Sequence, residues 1–154
     1  MSRELRDALG TWATGVAIIT ARDESGQHYG MTVNSFASVS LEPALVLWSV
    51  QQDCDYRAVF DHGYCVNILG VEQSDLVWQF TKGSHAERFD GVATHELDSG
   101  RLALAGAIGH FDCSLHQRVH AGDHDILIGQ VEHFASSPGA GVLFSRGQLT
   151  QAKD

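Results

Sequence analysis

The sequence predicts a mainly β fold, an antiparallel barrel with a few short helices packed outside it. Three observations carry this. Six or seven runs rich in β-branched and aromatic residues recur along the chain, separated by turn residues. The helical patterns between them are few and short. No strand–helix alternation of the length that parallel crossovers need runs through the chain.

The elements follow in order. Ser2 is placed to cap a short helix in which Leu5, Leu9 and Trp12 share a face, and Gly15 ends it. Gly15-Val16-Ala17-Ile18-Ile19-Thr20-Ala21 reads as a strand. Asp23-Glu24-Ser25-Gly26 is turn chemistry, and a second strand follows from about His28. Ala44-Leu45-Val46-Leu47-Trp48-Ser49-Val50 is apolar almost throughout and predicts a strand buried on both faces. Tyr64-Cys65-Val66-Asn67-Ile68-Leu69 is another strand. Tyr56, Val59 and Phe60 suit a short helix between those two. Ser74 is placed to cap a helix carrying Leu76, Val77 and Phe80. Residues 102–118 read as one long strand with a glycine-rich first half. In residues 126–134 the inward phase shifts near Gly129, the mark of a bulge. Val142-Leu143-Phe144-Ser145 is a last strand.

The 154 residues suit one domain, residues 1–154, with no internal repeat and no linker. Hydrophobic residues at 44% and charged residues at 19% exclude a disordered or collagen-like chain. Ten Lys and Arg against nineteen Asp and Glu leave a net charge of −9, and the basic residues are scattered singly. Such a chain repels a phosphate backbone, so no nucleic-acid partner is expected. No apolar run approaches the ~20 residues of a membrane span. The N-terminus is charged and lacks the apolar stretch of a signal peptide. Cys54, Cys65 and Cys113 form no close pair, which fits a reducing compartment. A cytoplasmic location is therefore expected. Trp12, Trp48 and Trp78 offer apolar area for a homodimer.

Several chemistries are set aside. His116, His120 and His124 are spaced by four, but Gly122-Asp123 interrupts any helix there, and no metal site is read. No Gly-x-Ser-x-Gly elbow, Gly-x-Gly-x-x-Gly or Walker A loop occurs. Cys113 lies in a strand, where a free Cys packs rather than reacts. Two features remain. In the stretch from Gly30 to Pro43, Thr32, Asn34, Ser35, Ser38 and Ser40 crowd polar groups into a short segment. It is either a loop satisfying its own backbone or a scaffold offering hydroxyls and N–H groups to a polar ring or a phosphate. The second is His120-Ala121-Gly122-Asp123-His124-Asp125. It is either a simple hairpin turn or a histidine held between two acids.

The chain resembles the small flavin reductase family from about Leu9 to Phe144. The resemblance rests on ordered pieces: Thr14-Gly15-Val16, the segment Gly30 to Phe36, Ser38-Val39-Ser40-Leu41-Glu42-Pro43, Val66-Asn67-Ile68-Leu69, Arg88-Phe89, and Gly122-Asp123-His124 followed by Ile128-Gly129-Gln130-Val131. It implies an antiparallel split β-barrel that binds FMN or FAD, usually as a homodimer. It implies hydride transfer from NADH or NADPH and a flavin-dependent monooxygenase as partner. By the same analogy Met31, Thr32, Val33, Asn34, Ser35, Ser38, Val39 and Ser40 line the flavin, and Phe80 lies near its edge. The stretch Gln52 to Arg57 stands where the family places phosphate contacts. Cys54 and Arg57 are then the candidates, with Lys82 and Arg88 further on, although Asp53 and Asp55 depart from the pattern. Arg118 or Arg146 would suit a 2′-phosphate. His124 corresponds to the residue that meets the nicotinamide, as a positioning group.

Overall fold

A computed structural model describes residues 2–153. In chain order they form α1 (Ser2–Leu9), β1 (Thr14–Gly15), β2 (Ala17–Arg22), β3 (His28–Val33), β4 (Ala37–Leu41) and β5 (Ala44–Gln51). A 3-10 turn (Arg57–His62), β6 (Tyr64–Ile68), a second 3-10 turn (Val71–Gln73), α2 (Leu76–Gln79), α3 (His85–Arg88) and β7 (Thr94–Glu96) follow. The chain ends with β8 (Leu102–Leu104), β9 (Gly109–Ala121), β10 (His124–Ser136), β11 (Val142–Ser145) and β12 (Gln148–Gln151).

The main sheet is antiparallel with seven strands in the order β3-β2-β6-β9-β10-β5-β4. Its two edge strands, β3 and β4, are consecutive in the chain, so the short segment between them brings the two edges of the sheet together. Ser35 in that segment staples the split: its Oγ accepts the Ser49 N–H of β5 at 2.9 Å. β1, β11 and β12 form a small second sheet, and β7 pairs β8. Among the described residues no helix is long and apolar enough to cross a membrane.

Two apolar clusters form, one on each face of the main sheet. The inner one contains Ile19, Trp48, Val50, Phe60, Tyr64 and Leu127. Trp48 meets Phe60 and Tyr64 edge-on, with ring centres 4.8 and 5.4 Å apart. The outer cluster joins Ile18, Leu69, Val77, Phe80, Leu104 and Val142 beneath α2 and the small sheet. β2 is therefore covered on both faces, with Ala17 and Ile19 pointing inward and Ile18 outward, and so is β6, where Tyr64 to Asn67 are all buried. β5, expected to be buried on both faces, alternates instead. Val46, Trp48 and Val50 enter the core, while Leu45, Leu47 and Ser49 are only half-buried. Its outer face has no helix over it, and Ser49 and Gln51 on that face line the cavity described below.

Other expectations shift as well. α1 ends at Leu9, where Gly10 N–H bonds the Arg6 carbonyl, and buries none of its side chains. Trp48 is core, so Trp12 and Trp78 alone of the three tryptophans keep exposed area. Ser74 caps no helix, since α2 starts after Asp75 without a side-chain cap. Ser84 does cap one: it accepts Glu87 N–H at 3.2 Å and so opens α3, which the sequence reading lacks. Residues 102–118 are two strands, because a turn at 105–107 separates β8 from β9. The stretch from Gly30 to Pro43, with no strand of its own expected after β3, contains β4. The bulge at Gly129 is present, between Ile128 and Gly129, with a second irregularity between Val131 and His133.

Candidate active site

A cavity of about 540 Å³ opens where β3, the end of β5 and the start of β10 converge. Met31, Thr32, Val33, Asn34 and Ser35 supply one wall, Ser49 and Gln51 the floor, Asp53, Cys54, Asp55 and Tyr56 a second wall, and His124 the far rim. Alternation on β5 explains the floor. With Val46, Trp48 and Val50 turned inward, Ser49 and Gln51 must face outward. His124 pairs with Gln51 in register, so strand geometry puts its side chain on the same face.

The β3 wall is held from behind. Thr32 Oγ1 donates to the Val77 carbonyl at 2.7 Å. Gly30 N–H donates to His85 Nδ1 at 3.1 Å, and Arg88 donates to the Gly30 carbonyl at 2.7 Å. α3 thus satisfies both backbone groups of Gly30 on an edge strand, where such groups otherwise lie open. Burial and the nearby Arg88 guanidinium hold the His85 imidazole below its ordinary range, which keeps its ring nitrogen free to accept that bond. Arg88 also reaches the Tyr56 hydroxyl at 3.2 Å, tying the two walls together. Gly30 admits no side chain: a Cβ there would stand 2.6 Å from the Phe80 ring.

His124 opens β10, and its Nδ1 lies 2.7 Å from Asp123 Oδ1. Bonding to His124 holds the Asp123 carboxyl below its usual range, so the carboxylate accepts, Nδ1 carries the proton and Nε2 is left for a ligand. The imidazole is not held between two acids. Asp125, the next residue, faces the opposite side of the strand and is buried at 1% exposure. It accepts from Arg118 at 2.7 Å, from His120 at 2.6 Å and from Gln52 at 3.1 Å. His116 and His120 lie on β9 and His124 on β10, so the three do not share a helix face.

Of the residues expected in the site, Met31, Thr32, Val33, Asn34, Ser35, Cys54 and His124 come together on the cavity wall. Ser38, Val39 and Ser40 lie on β4, at the other edge of the sheet, and do not line it. Phe80, expected beside the flavin edge, is fully buried in the outer core against Phe89 and presents no surface to the cavity. Arg57 turns back to donate to the Gln52 carbonyl. Lys82 is exposed, and its carbonyl accepts from Arg88. Arg88 stands one layer behind Tyr56. Arg118, considered for a 2′-phosphate, is occupied by Asp61 at 2.6 Å and Asp125 at 2.7 Å. The sequence reading missed Ser49, Gln51 and Tyr56. The period-2 pattern of β5 was the signal for the first two.

Cys65 and Cys113 are fully buried, and burial pushes both thiols up to about 12. Burial also raises the half-buried Cys54 thiol. Native protein treated with iodoacetamide at pH 8 is expected to be alkylated slowly at Cys54 and not at the other two, with all three modified after unfolding. Peptide mass mapping checks this, and rapid native labelling of Cys113 would contradict the packing.

The flavin reductase like domain model matches residues 9–153. The chain belongs to this flavin reductase family. It is 42% identical over 154 residues to the reductase component of the flavin-dependent trigonelline monooxygenase of Acinetobacter baylyi, covering 98% of this chain and 49% of that protein. It is 38% identical over 148 residues to the FMN reductase (NADH) SmoA of Agrobacterium fabrum, covering 95% of this chain and 83% of that one. The chain thus spans about half the length of the first relative and most of the second. Among solved structures, the NADH:FAD oxidoreductase SgcE6 of Streptomyces globisporus, in complex with NAD and FAD fragments, superimposes with a TM-score of 0.91 at 33% identity. That match covers 99% of this chain and 93% of the other. The fold of this flavin reductase family member is the antiparallel split barrel.

Proposed function

We propose that the protein is an NAD(P)H-dependent flavin reductase that supplies reduced FMN or FAD to a partner flavin-dependent monooxygenase. The observation that carries this reading is the meeting of the Met31–Ser35 wall with His124 across one cavity. The residues fit the ring system of a flavin, while Asp53 and Asp55 offer nothing to its phosphate. The cavity falls within the ~300–1,000 Å³ that holds small cofactors. Its walls pair an apolar surface, from Met31 and Val33, with hydroxyl and amide groups from Ser35, Ser49, Asn34 and Gln51.

A flavin bound there supplies the redox chemistry, a hydride accepted at N5 from nicotinamide C4. The chain supplies alignment. The polar groups of Asn34 and Ser35, on the wall continued from β3, would hold and orient the ring. His124 Nε2 bonds the pyridine nucleotide and fixes its approach. No proton is taken from a substrate carbon, so His124 acts as a positioning residue. Location in the cytoplasm and assembly as a homodimer belong to the same proposal. Trp12, Leu41 and Phe134 support the latter, with 78, 95 and 72% of their surfaces open. Sedimentation at micromolar concentration tests it.

No Lys or Arg is among the residues lining the cavity, whereas Asp53 and Asp55 are. A 2′-phosphate would meet carboxylates and no free cation. NADH is therefore expected to exceed NADPH in kcat/KM by about tenfold or more, the effect of roughly one unfavourable charge contact. Anaerobic spectra with each nucleotide test both points. Bleaching of the flavin bands by NADH supports the reductase reading. A flavin that binds and stays oxidised would make this a flavin-binding protein without nicotinamide chemistry.

A further inference from the structure

The cavity-facing His124 has a carboxylate behind it that the proposed reaction does not use. Asp125 lies on the core face of β10, opposite His120 on β9 and Val50 on β5. An ionised carboxylate at 1% exposure is tolerated only when donors saturate it. Here three do: Arg118, His120 and Gln52. Arg118 and His120 come from β9, the hairpin partner of β10, and Gln52 from the segment that follows β5. Arg118 continues to Asp61 at 2.6 Å and to the Arg57 carbonyl at 3.4 Å, both in the 3-10 turn that follows the Asp53–Tyr56 wall. Gln52 begins that wall. Its backbone N–H donates to the Asp123 carbonyl at 2.9 Å, and its side chain to the His124 carbonyl at 3.4 Å as well as to Asp125. The Asp125 carboxylate and Gln52 together therefore tie the hairpin tip that carries His124 to the opposing wall of the cavity.

We infer that Asp125, acting with Gln52, is a positioning residue that sets where the His124 imidazole stands across the nucleotide-binding cavity. The inference rests on the reductase reading above. The bonds run through the backbone of Asp123 and His124, not through the ring. Loss of the tie lets the tip move while the Asp123–His124 side-chain pair stays intact. A shift of an ångström at a positioning group weakens nucleotide binding and leaves the flavin wall, on β3, untouched.

The test is a double-mutant cycle on wild type, Asp125→Asn, His124→Ala and the pair. Each protein is measured for the dissociation constant of NAD+ by calorimetry, KM for NADH and flavin affinity. Asp125→Asn keeps the shape but loses the charge that Arg118 and His120 bond. It is expected to weaken NAD+ binding and raise KM for NADH about tenfold, with kcat changed less and flavin affinity retained. The pair is expected to match His124→Ala alone, because Asp125 acts through His124. Additive losses, or an unchanged NAD+ affinity in Asp125→Asn, would overturn the inference and leave Asp125 a structural ion pair. If Asp125→Asn does not fold, Gln52→Ala replaces it in the cycle, since it removes the side-chain bonds to the tip and keeps the Arg118–Asp125 pair. The same non-additivity is expected, and additivity overturns the inference. Wild-type protein that oxidises neither NADH nor NADPH with any flavin would refute the reductase reading itself. A functioning wild type with additive variants refutes only the role of Asp125.

Discussion

Replacing His124 with alanine raises KM for NADH about ten- to a hundredfold and leaves flavin affinity within about twofold. The expectation follows from where the ring stands. Its side chain keeps 38% of its surface open at the cavity rim, its Nδ1 is bound to Asp123 at 2.7 Å, and Nε2 is the free atom. The flavin wall on β3 lies across the cavity and makes no side-chain bond to His124, so the two binding events separate. Hydride transfer needs no base, so kcat at saturating NADH falls less than kcat/KM. Steady-state kinetics over a wide NADH range, with a flavin fluorescence titration beside them, decide the matter. Collapse of flavin binding in the variant would make His124 a structural residue of the hairpin.

Gly129→Ala is expected to destabilise the fold by about 1–3 kcal/mol, as overpacking of a well-filled core does. For a chain of this size that lowers Tm by roughly 3–10 °C. A Cβ on Gly129 would stand 2.3 Å from the Tyr64 hydroxyl and 3.0 Å from Cys113 Cβ. Both neighbours are fully buried, and Tyr64 is wedged against Trp48 and Phe60, so none has room to give. The closest atom is the hydroxyl, which makes only a 3.5 Å contact with the Leu127 carbonyl. Tyr64→Phe is therefore nearly neutral alone and restores part of the stability lost in Gly129→Ala. Thermal melts of the three variants check this. A Gly129→Ala protein that melts with wild type would mean the bulge can absorb the methyl group.

The two cases differ in how they could be read. The bulge at Gly129 was legible because a glycine inside an alternating strand breaks the inward phase, a purely local signal. The reason glycine is required there was not, since Tyr64 and Cys113 come from other strands and meet it only when β6, β9 and β10 align. Ser49 and Gln51 follow the same logic. Their outward phase is in the sequence, but an apolar run reads equally as a strand covered on both faces or on one. Only the absence of a helix over β5 selects the second. Phe80 shows the reverse error. It resembles a ligand-side aromatic in the chain, yet the ring lies fully buried in the outer core, packed close against Gly30.

The sequence by itself determined the strand-rich antiparallel class, the turn at Gly122-Asp123, and the family through ordered short motifs. All of these depend on neighbours within a few residues. Tertiary structure alone decided which polar residues share a cavity, that Asp125 meets Arg118 and Gln52, and that the arginines near the site are already engaged. These depend on register between strands distant in the chain. A one-residue change of register would move every side chain to the other face, and no local pattern records that choice.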